Sequence, residues 1–357
     1  MSELPDSTPP GRVPWAVAGY GSGGRVFHAP LLASAAELTF SAVVTRNAGR
    51  RAAVAADWPG VATVDRIEDL TALGIRGVTV TTSSGTHAEL AHRALDAGLA
   101  VVVDKPFALT AAAARGLVDH ATAVGLVLTA YQNRRWDSDL LTVRALVASG
   151  QLGRVHRFTS RIDRLRAVSP ERPGPPVEQG GGTLFDLGPH LVDQAVLLWG
   201  PVARVHAQLR TVRAGSPAED DIELHLEHRS GVLSTLAAGQ ASAAAGPRFQ
   251  VLGTAGGFLI GGFDSQEAQL KAGGSPVTLG PAWGVEPESA WGVLTTGAGR
   301  ARVRSARGRW DLFYPAVARA VLGTGAVPVD PADAVVTAQI FEAARVSAAT
   351  GASVEPG

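Results

Sequence analysis

Short apolar runs alternate with stretches of helical periodicity along roughly the first third of the chain. The runs are rich in Val, Ala and Leu, as expected for strands that are buried on both faces. We predict parallel strands over residues 15–18, 38–44, 61–64, 77–82, 99–103 and 126–130. The intervening pattern predicts helices over residues 25–36, 52–58, 67–73, 88–97 and 111–124. Such alternation is typical of a doubly wound α/β sheet.

The pattern changes where a polar and aromatic cluster occupies residues 131–137. A predicted helix at 138–148 is followed by longer, alternating strands at 155–162, 202–212, 222–227, 231–237 and 248–252. Hairpin signals such as Arg229-Ser-Gly231 indicate a mainly antiparallel sheet. We therefore predict a Rossmann domain over 1–131 and an α+β domain over 132–357 built on a large open sheet. The open face would join copies of the chain into a homodimer or homotetramer.

A glycine cluster follows the first predicted strand directly, with the spacing G-x-G-x-x-G. Gly19 would permit the tight turn, Gly21 would let the backbone approach a pyrophosphate, and Gly24 would let the next helix pack closely on the strand. The N-terminus of that helix would face the phosphates. The motif is weak by itself in a chain with 42 glycines, so its position after a strand and before a helix is what predicts a dinucleotide site.

The end of the second predicted strand carries no carboxylate. Proteins that select NAD usually place Asp or Glu there, to hydrogen-bond the ribose 2′-hydroxyl. This chain has Thr45, Arg46 and Asn47 instead, with Arg50 and Arg51 one turn later. A hydroxyl and guanidinium groups suit a 2′-phosphate, so we predict that Thr45, Arg46 and Arg50 select NADP(H) over NAD(H). A solvated helix start is the alternative interpretation of the arginines.

Three more candidates follow the ends of predicted strands, where open α/β sheets bind ligands. Thr81 ends the fourth strand, and His87 opens the helix after it; both are predicted cofactor contacts, with a structural role as the alternative for His87. Lys105 follows the fifth strand, and Pro106 biases it away from helix. Its ammonium would face the nicotinamide and stabilise charge on a substrate oxygen. The alternative is an ordinary surface lysine.

A polar stripe marks the segment 186–198, which is otherwise largely apolar. Asp186 and His190 are four residues apart, so they share one face if the segment is helical, and Asp193 continues that stripe. Such a stripe on a buried helix is costly unless its members are paired or line a cavity. A histidine one turn from an aspartate, behind a glycine run, favours a functional role, with a satisfied core histidine as the alternative.

Composition narrows the class of function. The chain has 32 Lys plus Arg and 32 Asp plus Glu, so no field of one sign points to nucleic acid or to an anionic membrane. The absence of cysteine excludes disulfides, thiolate metal sites and a cysteine nucleophile, and it suits a cytoplasmic protein. Residues 1–14 resemble a loose tail and not a signal peptide, and the longest apolar runs are too short to span a bilayer. Chemistry on a small molecule is the class that remains.

Four motifs together resemble the Gfo/Idh/MocA oxidoreductases. They are GYGSGGRVFHAP at 19–30, DKP at 104–106, YQNRRWD at 131–137 and GTLFDLGPHLVDQ at 182–194. In this order they are most similar to the branch that contains NADP-dependent scyllo-inositol dehydrogenase. The resemblance covers almost the whole chain. It implies a substrate held between the two domains over the nicotinamide, with catalytic roles at Lys105, Asp186 and His190.

Two segments depart from the family pattern. The family's usual Glu-Lys-Pro is Asp104-Lys105-Pro106 here, which keeps the charge on a shorter side chain. The segment 169–178 is rich in proline and has neither tryptophan nor lysine, whereas related enzymes of this branch carry both there. The second departure leaves the identity of the substrate open.

The combined expectation is an NADP-dependent dehydrogenase that reversibly oxidises one secondary hydroxyl of a cyclic polyol or sugar. His190 would be the general base, Lys105 would orient the substrate oxygen, and Asp186 would orient the substrate or the histidine. Gln132 and Asn133 are predicted substrate contacts, and no metal is required. Two alternatives stay open: reduction of an oxo-sugar or a non-sugar carbonyl, and a catalytically inactive protein that senses NADP.

Overall fold

The computed structural model describes residues 11–169 and 174–357. Six parallel strands form the first sheet, in the order β3-β2-β1-β4-β5-β6. The strands are β1 (Val13–Ala18), β2 (Leu38–Val44), β3 (Ala62–Val64), β4 (Gly77–Val80), β5 (Ala100–Val103) and β6 (Leu128–Ala130). The reversal of strand order on either side of β1 is that of a doubly wound sheet. The predicted fold class of this part is confirmed.

Helices connect these strands. They are α1 (Ala29–Ser34), α2 (Ala48–Asp57), α3 (His87–Asp96) and α4 (Ala111–Val124). A π-helical turn at Gly23–His28 precedes α1, and short 3₁₀ segments lie at Ile67–Leu73 and Ser84–Thr86. Helix α2 starts at Ala48, earlier than the predicted residue 52, because the side chain of Asn47 accepts a hydrogen bond from the backbone N–H of Arg50 and caps the helix.

The second sheet has eight strands in the order β14-β13-β12-β11-β7-β10-β9-β8. They are β7 (Val155–Asp163), β8 (Val202–Arg210), β9 (Asp221–His228), β10 (Leu233–Gly239), β11 (Phe249–Gly253), β12 (Gly256–Ile260), β13 (Gly292–Thr296) and β14 (Gly299–Val303). All neighbours are antiparallel except β7 and β10, which run parallel. The prediction of a mainly antiparallel second sheet is confirmed.

The remaining helices pack on the second sheet, on the first sheet or between the two. They are α5 (Ser138–Ala148), α6 (Thr183–Asp186), α7 (Gly188–Trp199), α8 (Gln266–Lys271), α9 (Pro276–Leu279), α10 (Phe313–Val321) and α11 (Pro331–Thr350). Single 3₁₀ turns lie at Asn133–Trp136, Val177–Gln179, Gly280–Ala282, Glu288–Ala290 and Trp310–Leu312. None of the helices in the described part of the chain is long and apolar enough to cross a membrane.

The C-terminal part of the chain returns to the first sheet. Trp310, Phe313 and Tyr314 are buried in the same hydrophobic core as Trp15 of β1. The hydroxyl of Thr129 in β6 donates a hydrogen bond of 2.7 Å to the backbone oxygen of Val329. Helix α11 contacts α4 on one side and β8 on the other, so the C-terminal segments tie the two sheets together on one side of the space between them.

Candidate active site

A cleft of about 560 Å³ lies at the carboxyl ends of the parallel strands. Its wall contains Gly21 after β1, Thr81 after β4, Lys105 after β5 and Tyr131 after β6. Residues beyond β6 close the other side: Asn133, Arg134, Arg164, Arg166, Asp186, Leu187, His190, Glu267, Lys271 and Trp310. The cleft therefore lies where open α/β sheets bind their ligands, and the second sheet with its helices supplies the opposite wall.

The glycine turn presents bare backbone to one end of this cleft. Gly19 has a φ of +99°, and a Cβ on it would lie 2.8 Å from the backbone oxygen of Thr81. A Cβ on Gly24 would lie 2.1 Å from the backbone oxygen of Gly19, so both positions need glycine for the turn itself. Gly21 and Gly23 line the cleft. The turn fits the diphosphate of a dinucleotide, since Gly21 and Gly23 have no side chain to keep a ligand from the backbone.

The predicted 2′-phosphate contacts do not all lie together. Arg50 lines the cleft beside the glycine turn, and a Cβ on Gly21 would lie 3.8 Å from its Nη2 atom. Thr45 is buried, and its hydroxyl accepts a hydrogen bond from the backbone N–H of Asn47. Arg46 is exposed and is not part of the cleft wall. The structure thus brings Arg50 to the cofactor end, and the roles of Thr45 and Arg46 stay predictions.

Lys105 lies at the centre of the cleft. Its Nζ donates hydrogen bonds of 2.8 Å to both the carboxylate Oδ1 and the backbone oxygen of Asp186. The positive charge of Lys105 lowers the pKa of Asp186. The preceding Asp104 is held in place by the hydroxyl of Thr81 at 2.9 Å and by the ring Nε2 of His28 at 3.2 Å. The ammonium is therefore fixed in position beside a carboxylate that remains ionised.

The segment around His190 is not a single helix. Helix α6 ends at Asp186, and α7 starts at Gly188 with Pro189 in its first turn. Because proline has no N–H, the helical hydrogen bonds cannot run through this point. Asp186 and His190 therefore come from two helices, so the condition of one helix through both positions is not met. Both side chains nevertheless line the cleft.

His190 is suited to accept a proton. It is only 5% exposed, and its Nδ1 atom is buried without a hydrogen-bond partner in the described part of the chain. Burial, and then the positive charges of Arg134 and Lys105, lower the pKa of His190 well below the ordinary 6.5. The imidazole is thus neutral at physiological pH, which is the form that a general base requires.

Asp193 does not extend the polar face into the cleft. Arg135 binds it through two hydrogen bonds, 2.9 Å from Nε to Oδ2 and 2.6 Å from Nη2 to Oδ1. The same guanidinium donates to Asp333 at 2.7 Å, at the start of α11. Of the two ways in which a buried polar residue is stabilised, pairing or lining a cavity, Asp193 shows the first. Its role is to fasten α7 to the 131–137 segment and to α11.

A variant of the Arg135–Asp193 ion pair distinguishes a structural role of Asp193 from a catalytic one. We expect Asp193→Ala to lower the free energy of unfolding by about 3 kcal/mol, because it leaves the buried Arg135 charge with one partner only. Denaturant unfolding would measure this loss, with Asp333→Ala as the matched control, since that carboxylate is 40% exposed and its removal costs less. A variant of unchanged stability that has lost catalytic turnover would instead place Asp193 in the active site.

The remaining predicted residues separate into two groups. Thr81 and Asn133 line the cleft. Gln132 is buried in a small pocket against Phe107, outside the cleft. His87 is also buried outside the cleft wall, with Nδ1 2.8 Å from the backbone oxygen of Pro106 and Nε2 3.1 Å from that of Thr82. His87 thus holds the loop that follows Lys105, and a direct cofactor contact by its ring stays a prediction.

Sequence reasoning missed several charged residues of the cleft. Arg134, at most 7% exposed, is paired with Asp137 and Glu267. Arg164 and Arg166 follow β7, and Lys271 ends α8. The chain has only two lysines, Lys105 and Lys271, and both line this cleft. The scarcity of lysine can be read from the sequence and marks both lysines as candidate site residues. The arginines are recognised as cleft residues only in the structure, where the two sheets face each other.

Comparisons with known proteins agree with this architecture. Residues 13–132 match an oxidoreductase family with an NAD-binding Rossmann fold, and residues 140–259 match the Gfo/Idh/MocA C-terminal domain. The chain is 35% identical to the uncharacterized oxidoreductase YdgJ of Escherichia coli, over 91% of this chain and 93% of that protein. It is 32% identical to IolW of Bacillus subtilis, a scyllo-inositol 2-dehydrogenase (NADP(+)), over 93% and 92%. A solved structure from Yersinia pestis, provisionally assigned as an oxidoreductase, has a TM-score of 0.89 at 33% identity and covers 97% of both chains.

Proposed function

The chain belongs to the Gfo/Idh/MocA family of oxidoreductases with an NAD-binding Rossmann fold, and on that basis we propose that it transfers hydride between NADP(H) and a secondary hydroxyl or ketone of a cyclic polyol or sugar. One observation carries the proposal. Lys105, Asp186 and His190 line one cleft, and the glycine turn opens into the same cleft. A proton acceptor, an ammonium and a dinucleotide-sized cradle are together what oxidation of an alcohol needs.

The proposed roles follow from the protonation states of the three side chains. His190, neutral because burial and nearby cations lower its pKa, takes the proton of the reacting hydroxyl. Lys105 donates a hydrogen bond to the same oxygen and stabilises the negative charge that develops on it. Asp186 holds the ammonium through two contacts of 2.8 Å. The bound nicotinamide supplies the hydride acceptor, and that chemistry is the cofactor's own.

Arg50 supports NADP(H) as the preferred form of the cofactor. The loop after β2 offers Thr45, Arg46 and Asn47, with no carboxylate to bind a ribose 2′-hydroxyl. The Arg50 side chain reaches the cleft at the glycine turn, where a guanidinium can bind a 2′-phosphate with a charge-assisted fork. IolW, a relative whose name specifies NADP(+), agrees with this preference.

We expect Arg50→Gln to weaken NADPH binding by about 10–100-fold, since each hydrogen bond to a charged group contributes about 1.5–3 kcal/mol, and to change NADH binding by less than about threefold. Fluorescence titration with each nucleotide would measure both. Arg51→Gln is the matched control, because Arg51 is paired with Asp65 and bonded to Thr63 on the β3 side of the helix. Equal losses in the two variants would mean that Arg50 does not select the cofactor.

The enzyme proposal is tested by turnover at 340 nm over a panel of inositols, aldoses and their oxo forms, after nucleotide titration. We expect tight NADPH binding and turnover of at least one cyclic polyol or sugar. Nucleotide binding without turnover of any member would favour a protein that senses NADP and has lost catalysis. A clear preference for NADH would contradict the role of Arg50.

We also propose that the open face of the eight-stranded sheet joins copies of the chain. Leu233 and Leu259 are 51% and 43% exposed on this sheet, and the salt bridges Arg204–Glu227 and Arg210–Asp221 link neighbouring strands. A broad sheet face with exposed leucines is costly to leave in water. Light scattering of the purified chain would give a dimer or tetramer mass, and a strictly monomeric chain at micromolar concentration would contradict this.

A further inference from the structure

The backbone beyond β7 turns two arginines towards the cleft. Phe158, Ser160 and Ile162 of β7 are fully buried on the core face of the sheet. The chain stays extended past Asp163, because the backbone N–H groups of Arg164 and Arg166 donate to the oxygens of Gly239 and Gln240 at 2.8 and 2.9 Å. Beyond Asp163, successive side chains therefore still point to opposite faces of the extended segment. Both guanidinium groups reach the cleft.

Leu165, which lies between the two arginines, confirms this alternation. It is 69% exposed and bridges to Ala241 in an antiparallel contact, so its side chain points away from the cleft that receives its neighbours. Two guanidinium groups at positions i and i+2 of an extended segment lie side by side on one face. Their ten N–H donors, five on each, converge on one region of the cleft.

These two guanidinium groups differ from the other cations of the site in their partners. Among residues 11–169 and 174–357, neither Arg164 nor Arg166 donates a side-chain hydrogen bond or forms a salt bridge. The nearby carboxylates are already engaged: Asp186 by Lys105, Glu267 by Arg134 and Lys271, Glu219 by Arg345 and Asp220 by Arg213. Within the described residues, the cleft thus holds two guanidinium groups whose donors have no protein acceptor and can bind a ligand.

Burial makes the absence of a partner costly for Arg164. Burial lowers the pKa of the Arg164 guanidinium below the ordinary arginine value. The positive charges of Arg166 and Arg134 lower it further, whereas the carboxylates of Glu267 and Asp186 raise it. A charge that is partly withdrawn from water without a close counterion favours an incoming anion.

A second cavity extends the cleft on the side of Arg166. It has a volume of about 370 Å³ and shares Lys105, Arg166 and Asp186 with the first. Gln240, which is 6% exposed, stands in its wall, and its Oε1 atom is buried without a hydrogen-bond partner in the part of the chain that the structure describes. Unused donors and an unused acceptor therefore surround one continuous space next to the reacting groups.

Building on the proposed function, we infer that the substrate is a sugar or cyclic polyol that carries an anionic oxygen group, a carboxylate or a phosphate, and that Arg164 and Arg166 bind this group. Planar guanidinium groups match either anion in a bidentate manner. Gln240 accepts a hydrogen bond from a hydroxyl of the same ring. The anion lies beside Lys105 and His190, so it fixes which secondary hydroxyl is presented to them.

Matched substrate pairs test this inference. A hexose is compared with the corresponding hexuronate and with its 6-phosphate, so that the ring hydroxyls stay the same while the anion is absent, a carboxylate or a phosphate. We expect kcat/KM of one anionic member to exceed that of the neutral sugar by about 10–100-fold, as for hydrogen bonds to a charged group. The member with the higher kcat/KM shows whether the anionic group is a carboxylate or a phosphate.

Two variants link the preference to the arginines. We expect Arg164→Gln and Arg166→Gln each to lower the ratio of kcat/KM for the anionic over the neutral substrate by at least about tenfold. Arg115→Gln is the control, because Arg115 is exposed on α4 and lines neither cavity, and its ratio stays unchanged. A wild-type ratio near one, or a ratio that survives in both cleft variants, would overturn the inference while leaving the dehydrogenase function intact.

A binding measurement separates failure of the inference from failure of the proposed function. Titration calorimetry of the NADPH-loaded protein reports hexuronate or hexose binding without turnover. If no sugar is turned over, tighter binding of the hexuronate that is lost in Arg164→Gln and Arg166→Gln still supports the anion site. Equal binding of hexose and hexuronate contradicts it.

Discussion

Lys105→Met is expected to lower kcat by about 10²–10³-fold, the loss that follows removal of one group that stabilises an oxyanion. The ammonium is held by the carboxylate and the backbone oxygen of Asp186, both at 2.8 Å, so it stays in place while charge develops on the substrate oxygen. Because the interaction strengthens in the transition state, KM should change far less than kcat. Steady-state kinetics on a sugar or polyol that the wild type oxidises would measure both.

The chain provides a matched control for this prediction in its only other lysine. Lys271 lines the same cleft but its ammonium binds Glu267, one turn earlier on α8. We expect Lys271→Met to change kcat by less than about tenfold. The exposed character of the Lys105 pair, with Asp186 49% exposed, predicts a stability change below about 1 kcal/mol. Equal losses of kcat in both lysine variants would mean that the net charge of the cleft matters and that Lys105 has no special position.

The parts of the site that follow strand ends could be predicted from the sequence. The alternation of apolar runs and helices places Gly21, Thr81 and Lys105 after successive parallel strands, and such positions meet at one edge of a sheet. Their spatial convergence needs no knowledge of side-chain packing. The sequence therefore indicated the floor of the cleft and the dinucleotide turn, and the structure brings these residues together as expected.

The opposite wall could not be predicted in the same way, because it depends on long-range pairing. Arg164 and Arg166 reach the cleft only because the segment after β7 continues its pairing with Gly239 and Gln240. Asp193 was expected on the face of His190, but the bond to Arg135, 58 residues away in the sequence, decides its direction. Helix α11 was not predicted, since it packs between α4, α7 and β8 and its apolar residues are not confined to one stripe.

His190→Gln is expected to lower kcat for alcohol oxidation by about 10²–10⁴-fold, the usual contribution of a positioned general base. The wild type should also show a distinctive pH profile. Because burial and the charges of Arg134 and Lys105 lower the pKa of His190 well below 6.5, the neutral base persists into acidic solution. We expect kcat/KM to fall with decreasing pH only well below pH 6.5, and this acidic limb should be absent in the variant.

The lowered pKa of His190 also makes the stability of the folded protein depend on pH. The unfolded chain binds a proton at His190 near pH 6.5, whereas the folded protein does so only at lower pH. Protonation therefore favours the unfolded state, so the wild type loses stability as pH falls below about 6.5 towards the folded pKa. His190→Gln removes this contribution, and the fall in its free energy of unfolding between pH 7 and 5 should be smaller than in the wild type.

A variant of a second histidine, His87, separates an effect on catalysis from an effect on stability. His87→Gln removes a buried ring that bonds to the backbone oxygens of Thr82 and Pro106, so it should cost stability and retain the acidic limb of the rate profile. If the acidic limb persists in His190→Gln and kcat stays within about tenfold of the wild type, another group takes the proton. Asp186, with its pKa lowered by the charge of Lys105, is too weak a base to replace an imidazole at neutral pH, so loss of the limb in His190→Gln alone identifies the base.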